Sequence, residues 1–381
     1  MYDFTFHNPT KIIFGADTEQ QIGQELAAAG IKKVLLLSGQ GSAKKSGLLD
    51  RVIACLTAAG ITFVALEGVV SNPMLSHARQ GVALAKKEAV EAILAVGGGS
   101  VLDEAKAIAV GATTEIDVWE FFTGREVTAA LPVFAIMTIA ATGSEMNRNA
   151  VLTNEATRQK YNIASIHVHP RVSILNPVLT HTVPPDYTAY SAVDAIAHVL
   201  EGYCTKQPGT RLQDRLVESI VKTVMETTDL ILQNPNHAEA RASFMWAATL
   251  ALNGLTPAGI GPYSFPNHMI EHSLSALYNI PHGAGLAIVI PAWMRWYHSR
   301  NPEQFTRCSR ELFGLPTPAA GINALEEWFR EIKAPVRLGE VGIPARDIPI
   351  ISENAHGLAR QWGIAELYTP AAIGEILQLA V

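Results

Sequence analysis

Residues 95–109 read "AVGGGSVLDEAKAIA", and the fold turns on them. With the residues before it, "EAILAVGGGS" (91–100) is a short apolar run ended by glycines, which reads as a buried strand. A helix is expected from about Leu102 to Gly111, with Asp103 in its first turn. Glycine lets backbone approach a phosphate closely, and the start of the next helix presents N–H groups and a positive dipole. This is not the G-x-G-x-x-G pattern, and a GGGS run can be a simple turn. Between a strand and a helix, pyrophosphate binding is the better reading.

The alternation continues on both sides. "KKVLLL" (32–37) precedes a helical stretch from Lys45 to Ala59, and "ITFVAL" (61–66) precedes a helix across 76–89. Downstream, "VFAIMT" (133–138) is a strand, with "YNIAS" (161–165) and "VSIL" (172–175) expected as the last strands. Near-continuous apolar strands alternating with helices predict an α/β domain whose parallel sheet is covered on both faces. "LNPVLTHTVPPDY" (175–187) then carries Pro177, Pro184 and Pro185, a boundary signal. Beyond it, helical spacing dominates 186–203, 210–233, 237–253 and 266–278. The expected domains are therefore 1–185, α/β and dinucleotide-binding, and 186–381, all-helical.

Length and composition fit a two-domain globular enzyme. The chain has 381 residues, 48% of them hydrophobic and 17% charged, with a net charge of −6. Without a Lys/Arg run, nucleic acid and anionic membranes are not expected partners. The three cysteines form no C-x-x-C pair, which argues against a zinc–thiolate site and for a reducing compartment. "MYDFTFHNPTKIIFG" lacks a basic region followed by an apolar run, and no apolar run reaches a membrane span. A cytoplasmic protein is expected.

The helical half carries the second constellation. In "SAVDAIAHVLEGYC" (191–204), Asp194 and His198 lie four apart, on one helix face among apolar residues. A satisfied Asp–His hydrogen bond in a core would account for this pair alone. "FPNHMIEHSLSALYNIPHGAGLAIVIP" (265–291) adds His268 and His272, again four apart, and then His282 after Pro281. One carboxylate and four imidazoles in three apolar segments suit Fe²⁺, Zn²⁺, Ni²⁺ or Mn²⁺. Spacing does not say which histidine to leave out.

Taken together, "NPTKIIFG", "GGGSVLDEAK", "ATGSEMN" (141–147), "LNP", "DAIAH" and "HMIEHSLSA…IPHGAGLA" resemble the iron-containing, metal-dependent alcohol dehydrogenases along essentially the whole chain. The butanol dehydrogenase-like and aldehyde reductase members look most similar. The resemblance implies metal ligation by Asp194, His198, His268 and His282, with Fe²⁺ favoured and Zn²⁺ the alternative. It leaves His272 facing the site without binding, where a proton-relay role is expected. It places Gly98, Gly99, Ser100 and Asp103 on the cofactor's pyrophosphate, and Thr138, Thr142, Asn149, Lys160 and Leu179 around the nicotinamide and its ribose. Met146, Asn147 and Asn253 are expected near the substrate. His167 and His169 of "IHVHP" (166–170), sharing a strand face, match no ligand position.

The implied reaction is reversible hydride transfer between NADP(H) and a small primary alcohol or aldehyde, in a homodimer or higher oligomer. A non-redox enzyme on the same scaffold, similar to dehydroquinate synthase, is the alternative. The absence of a Lys/Arg cluster beside the metal segments disfavours its polyanionic substrate. NADP(H) is preferred over NAD(H) because NAD-using relatives carry an Asp after the "KVLLLS" strand. Here "SGQGSAKKSG" (38–47) puts Gly39 in that place, with no acid nearby. Gly41 and Ser42 offer donors there, and Lys44 and Lys45 add positive charge.

Overall fold

The apolar runs of the first half become strands because burial on both faces suits them. The computed structural model describes all 381 residues. Strands β1 (Lys11–Phe14), β2 (Lys33–Gly39), β3 (Thr62–Val69), β4 (Ala92–Gly97) and β5 (Val133–Met137) belong to one parallel sheet. After a separate hairpin of β6 (Asn149–Asn154) and β7 (Gln159–Ala164), β8 (Val172–Leu175) completes it. The order is β1-β8-β5-β4-β2-β3. Every residue of β4, β5 and β8 is buried, whereas the edge strand β3 is mostly not.

Helices α1 (Ile22–Ala28), α2 (Ser42–Lys45), α3 (Leu48–Ala58), α4 (Leu75–Lys87), α5 (Gly99–Gly111) and α6 (Trp119–Phe122) accompany the sheet. One core packs Leu26, Val52 and Leu56 against Leu36, Leu94 and Ile136. A second gathers Ala78, Val110 and Phe122 with Leu152 and Ile163 of the hairpin. From β2 the chain winds outward to β3, then returns to β4 on the other side of β2. That reversal between β2 and β4 is a topological switch point, where open α/β sheets bind ligands beyond the carboxyl ends of their strands.

Three local readings need correction. The helix expected over 45–59 is broken by Gly47, which caps α3 at φ 70. "YNIAS" is not in the parallel sheet but pairs antiparallel with β6. Asn154 makes that hairpin, its Oδ1 accepting from the N–H groups of Ala156 and Thr157. "IHVHP" is no strand, since Ile166–Val168 is a 3₁₀ turn in which Ser165 Oγ accepts from His167 N–H.

The second half is helical: α7 (Pro185–Thr205), α8 (Arg211–Gln233), α9 (Ala238–Ala251), α10 (Pro266–Tyr278), α11 (His282–Tyr297), α12 (Pro302–Phe313), α13 (Pro318–Glu331), α14 (Ile348–Gln361) and α15 (Pro370–Gln378). Proline opens α7, α10, α12, α13 and α15, where its missing N–H costs nothing and its fixed φ suits the first turn. No helix is long and apolar enough to cross a membrane. The chain divides into two compact units, Asn8–Thr182 and Val183–Val381 joined by Met1–His7. The first seven residues thus lie with the helical unit, where Tyr2 N–H donates to the Gly259 carbonyl at 2.9 Å.

Candidate metal centre and nucleotide-binding loops

Helix α7 carries Asp194, His198 and Glu201 at i, i+4 and i+7, one face of the helix, and all three are buried. Helix α10 carries His268, Glu271 and His272, also buried. Asn279, in the left-handed conformation, ends α10, and Pro281 starts α11 with His282 as its first residue. Two glycines let α11 come close. A Cβ on Gly283 would stand 2.0 Å from the Tyr190 carbonyl oxygen of α7, and one on Gly285 would stand 2.7 Å from Glu271 Cγ. These close approaches carry His282 to Asp194.

Three imidazole nitrogens then converge on one carboxylate oxygen. His198 Nε2 lies 3.4 Å from Asp194 Oδ1, and His268 Nε2 and His282 Nε2 each lie 3.6 Å from it. These distances are too long for charge-assisted hydrogen bonds. Asp194 Oδ1 and His268 Nε2 are both buried with no hydrogen-bond partner. Two ligands each about 2.1 Å from one ion, at a tetrahedral angle, would sit about 3.4 Å apart. Donor atoms of Asp194, His268 and His282 all lie within 4.8 Å of one another. The donor set fits a divalent cation.

The opposite edges of the rings support the same reading. His268 Nδ1 meets Glu201 Oε1, and His282 Nδ1 meets Glu271 Oε2. A neutral ring donating from Nδ1 leaves its Nε2 lone pair free for a cation. Glu201 also accepts from the N–H of Asn267 at 2.6 Å, while Ser275 Oγ donates to Glu271 Oε1. Burial alone would raise the Asp194 carboxyl, but the three imidazoles of His198, His282 and His268 around it outweigh that and hold it well below the usual carboxylate range. Burial pushes His198 down to about 3 despite Asp194. Burial also opposes charge on His268, but Glu201 and Asp194 outweigh it and raise that ring to about 10. Asp194 is thus ionised and His198 neutral, the states a ligand set requires, and a cation at His268 Nε2 can take the proton's place.

His272 lies beside this cluster, its ring centroid 5.7 Å from that of His282 and 6.4 Å from that of His268. Glu271, His272 and His282 also bring donor atoms within 4.8 Å of one another. Phe265 stands edge-on to His268 at 5.6 Å and Trp362 edge-on to His272 at 5.8 Å, giving the cluster an aromatic wall. Glu201 and Glu271 went unread in the sequence. The available signal was positional, one further turn along the Asp194–His198 face and the residue between His268 and His272.

In the α/β unit the candidate cofactor residues collect at the carboxyl ends of neighbouring strands. Gly39 ends β2, Gly98 caps α5 just beyond β4, Thr138 follows β5, and Leu179 lies in the turn after β8. Gly99 and Ser100 lie in the first turn of α5, which begins three residues earlier than expected and so leaves Asp103 beyond that turn. A Cβ on Gly99 would stand 2.4 Å from Thr142 Oγ1, so glycine is needed where the β4 and β5 loops touch. Gly41, at φ 125, caps the short helix that begins with Ser42. Asp103 gives both carboxylate oxygens to protein, accepting from Ser144 Oγ at 2.7 Å and Val151 N–H at 3.2 Å. Asn149 opens β6, and Lys160 is buried in β7 with its ammonium 3.0 Å from Asn72 Oδ1. Asn147 Oδ1 accepts from Lys106 and from Asn149 N–H, so this side chain braces a loop. The expectation that no acid stands near Gly39 is wrong. Pairing of β2 with β3 brings Glu67 alongside, 3.4 Å from the Lys44 ammonium.

Comparison with known proteins shows the family. Residues 9–177 match the family model described as iron-containing alcohol dehydrogenase, and 188–380 match the C-terminal model of the Fe-containing alcohol dehydrogenase family. The chain belongs to the iron-containing alcohol dehydrogenase family. It is accordingly an oxidoreductase acting on CH–OH donors. The chain is 40% identical to the probable NADH-dependent butanol dehydrogenase 1 of Bacillus subtilis, covering 93% of this chain and 94% of that one. It is 34% identical to the NADPH-dependent aldehyde reductase YqhD of Escherichia coli, covering 94% and 95%. The crystal structure of NADH-dependent butanol dehydrogenase A from Thermotoga maritima superposes with a TM-score of 0.97 at 44% identity, covering 100% of this chain and 99% of that one.

Proposed function

We propose that this dehydrogenase interconverts small primary alcohols and aldehydes, using a divalent ion held by Asp194, His198, His268 and His282. The observation that carries the reading is the convergence of three Nε2 atoms on the orphaned Asp194 Oδ1. When bound, the ion supplies Lewis-acid polarisation of the carbonyl and the dinucleotide supplies the hydride. Fe²⁺ is favoured, because four protein ligands fill a tetrahedral zinc shell whereas a catalytic ion keeps an open position. Asp194 contributes the one negative charge of the set, and Glu201 and Glu271 aim His268 and His282. Phe265 and Trp362 offer apolar surface to a short alkyl chain. Gly98, Gly99 and Ser100 hold the pyrophosphate, with Thr138, Thr142, Asn149, Lys160 and Leu179 toward the nicotinamide side.

His272 moves the proton that the product oxygen gains in reduction. It stands one helical turn from His268, within the aromatic wall, and an imidazole can accept a proton at one ring nitrogen and donate from the other. In His272→Gln the pH–rate profile is expected to change shape, with kcat lowered about a hundredfold. An unchanged profile with weakened metal binding would assign His272 to orienting a ligand instead.

NADP(H) is the preferred dinucleotide by a small margin. Gly39 leaves the 2′ side without an acid on its own strand, and Gly41, Ser42 and Lys44 offer donors and charge. Glu67 offsets part of Lys44, but both side chains are exposed and such pairs are weak. The relatives pull both ways, since four curated ones are named NADH-dependent and two NADPH- or NADP-dependent. We expect kcat/KM for NADPH to exceed that for NADH by about tenfold or less, measured with an aldehyde panel after anaerobic Fe²⁺ loading. A Cβ fits at Gly39, its nearest neighbour being the Val69 carbonyl oxygen at 3.5 Å, so Gly39→Asp should reverse the ratio. NADH used as well as NADPH by the native enzyme overturns the preference. An unshifted ratio in the variant would show that Gly39 does not face the 2′ position.

A further inference from the structure

The motif "GGGSVLDEAK" ends in a lysine that none of the roles above uses. Lys106 is wholly buried, with no exposed surface. Its ammonium reaches the Ser144 carbonyl at 2.8 Å, Ser144 Oγ at 2.9 Å, the Asn147 carbonyl at 3.1 Å, Asn147 Oδ1 at 3.2 Å and the Asn149 carbonyl at 2.7 Å. Five acceptors from one six-residue stretch therefore surround a single cation. Burial pulls the ammonium down to about 8, while Asp103 and Glu145 pull it back.

The contacts run onward to the glycine turn. Ser144 Oγ accepts from Lys106 and donates to Asp103 Oδ1, so the D-x-x-K spacing on one face of α5 grips this serine from two sides. Asn147, held by Lys106, donates from Nδ2 to the Thr142 carbonyl at 3.4 Å, and Ser144 N–H donates to Thr142 Oγ1 at 3.2 Å. Thr142 is the residue that leaves no room for a side chain on Gly99. An apolar residue at 106 would strand those carbonyls without a donor, and the stretch would refold to satisfy them.

We propose that Lys106 is a positioning residue for the dinucleotide, fixing through Ser144 and Asn147 the loop that sets Thr142 and Asn149 beside the Gly98–Ser100 turn. The inference rests on the dinucleotide reading above. It predicts that charge lost at a site touching no cofactor atom weakens cofactor binding specifically.

The test is Lys106→Met, read by nicotinamide fluorescence titration with NADH and NADPH and by steady-state kinetics of the metal-loaded enzyme. Dissociation constants for both dinucleotides should rise at least about tenfold, and kcat/KM for dinucleotide should fall much further than kcat. Metal content and the KM for aldehyde should shift less than about threefold. Dinucleotide affinity within twofold of the native value, with only a lowered Tm, would overturn the proposal and leave Lys106 a purely structural residue. Should Lys106→Met be insoluble, Ser144→Ala removes one acceptor and the link to Asp103, and a threefold to tenfold loss of dinucleotide affinity is expected. No loss in that variant overturns the proposal too. Native enzyme that binds neither dinucleotide would overturn the underlying reading rather than the role of Lys106 within it.

Discussion

His282→Ala is expected to lose its bound ion and nearly all activity while keeping its fold. His282 stands at the first position of α11, where alanine is well tolerated, and the close Gly283–Tyr190 packing behind it is untouched. The Glu271 carboxylate loses its imidazole partner but keeps the Ser275 hydroxyl. The stability cost is therefore about 1–3 kcal/mol. Function loses far more. One of the three imidazoles around Asp194 is gone, and with it the Lewis-acid assistance that supplies several kcal/mol of barrier lowering, so kcat/KM should fall at least about a thousandfold. Metal analysis after gel filtration, beside circular dichroism, checks both halves. Full occupancy in the variant would remove His282 from the ligand set. The same apparatus decides the ion, since metal-free native enzyme restored by Zn²⁺ but not by anaerobic Fe²⁺ reverses the assignment to iron.

Glu271→Gln should weaken metal binding about 10- to 100-fold without removing any ligand. Glu271 is wholly buried, touching His282 Nδ1 through Oε2 and the Ser275 hydroxyl through Oε1. Glutamine keeps the volume, which matters because Gly285 leaves it just enough room. It removes the negative charge that makes the imidazole a stronger donor. Titration in metal buffers reads the change directly. Affinity within twofold of native would reduce Glu271 to a packing residue.

The central strands were legible because "VLLL", "ILAV", "VFAIM" and "VSIL" are buried on both faces and so carry unbroken apolar runs. β1 was not read as a strand. "KIIF" is short and lies on a sheet edge, and its only partner, β8, is some 160 residues further on. The hairpin of β6 and β7 was misassigned because its turn has no Asn-Gly or Asp-Gly pair and depends on Asn154 and on Arg158 at φ 54. In the helical half, i,i+4 spacing exposed Asp194, His198, His268 and His272, since polar residues are conspicuous on apolar faces. Glu201, Glu271 and Lys106 were silent for the opposite reason. Glutamate and lysine are ordinary on any helix, and only packing shows that these three are buried.

The two ends of the chain's contact map meet late. Within the sheet β1 pairs only with β8, and Met1–His7 rests on the helical unit through Tyr2 and Gly259. During synthesis, residues 2–14 must therefore wait for partners made much later. The α/β sheet cannot gain its β1 edge until residue 175 has emerged, and Tyr2, Phe4 and Phe6, still about half exposed in the folded protein, gain their partial cover only when residues 254–261 follow. Translation at roughly 5–20 residues per second makes that second wait more than about ten seconds. For that interval three aromatic side chains have no surface to dock on, and about half of their area stays open to water even after docking.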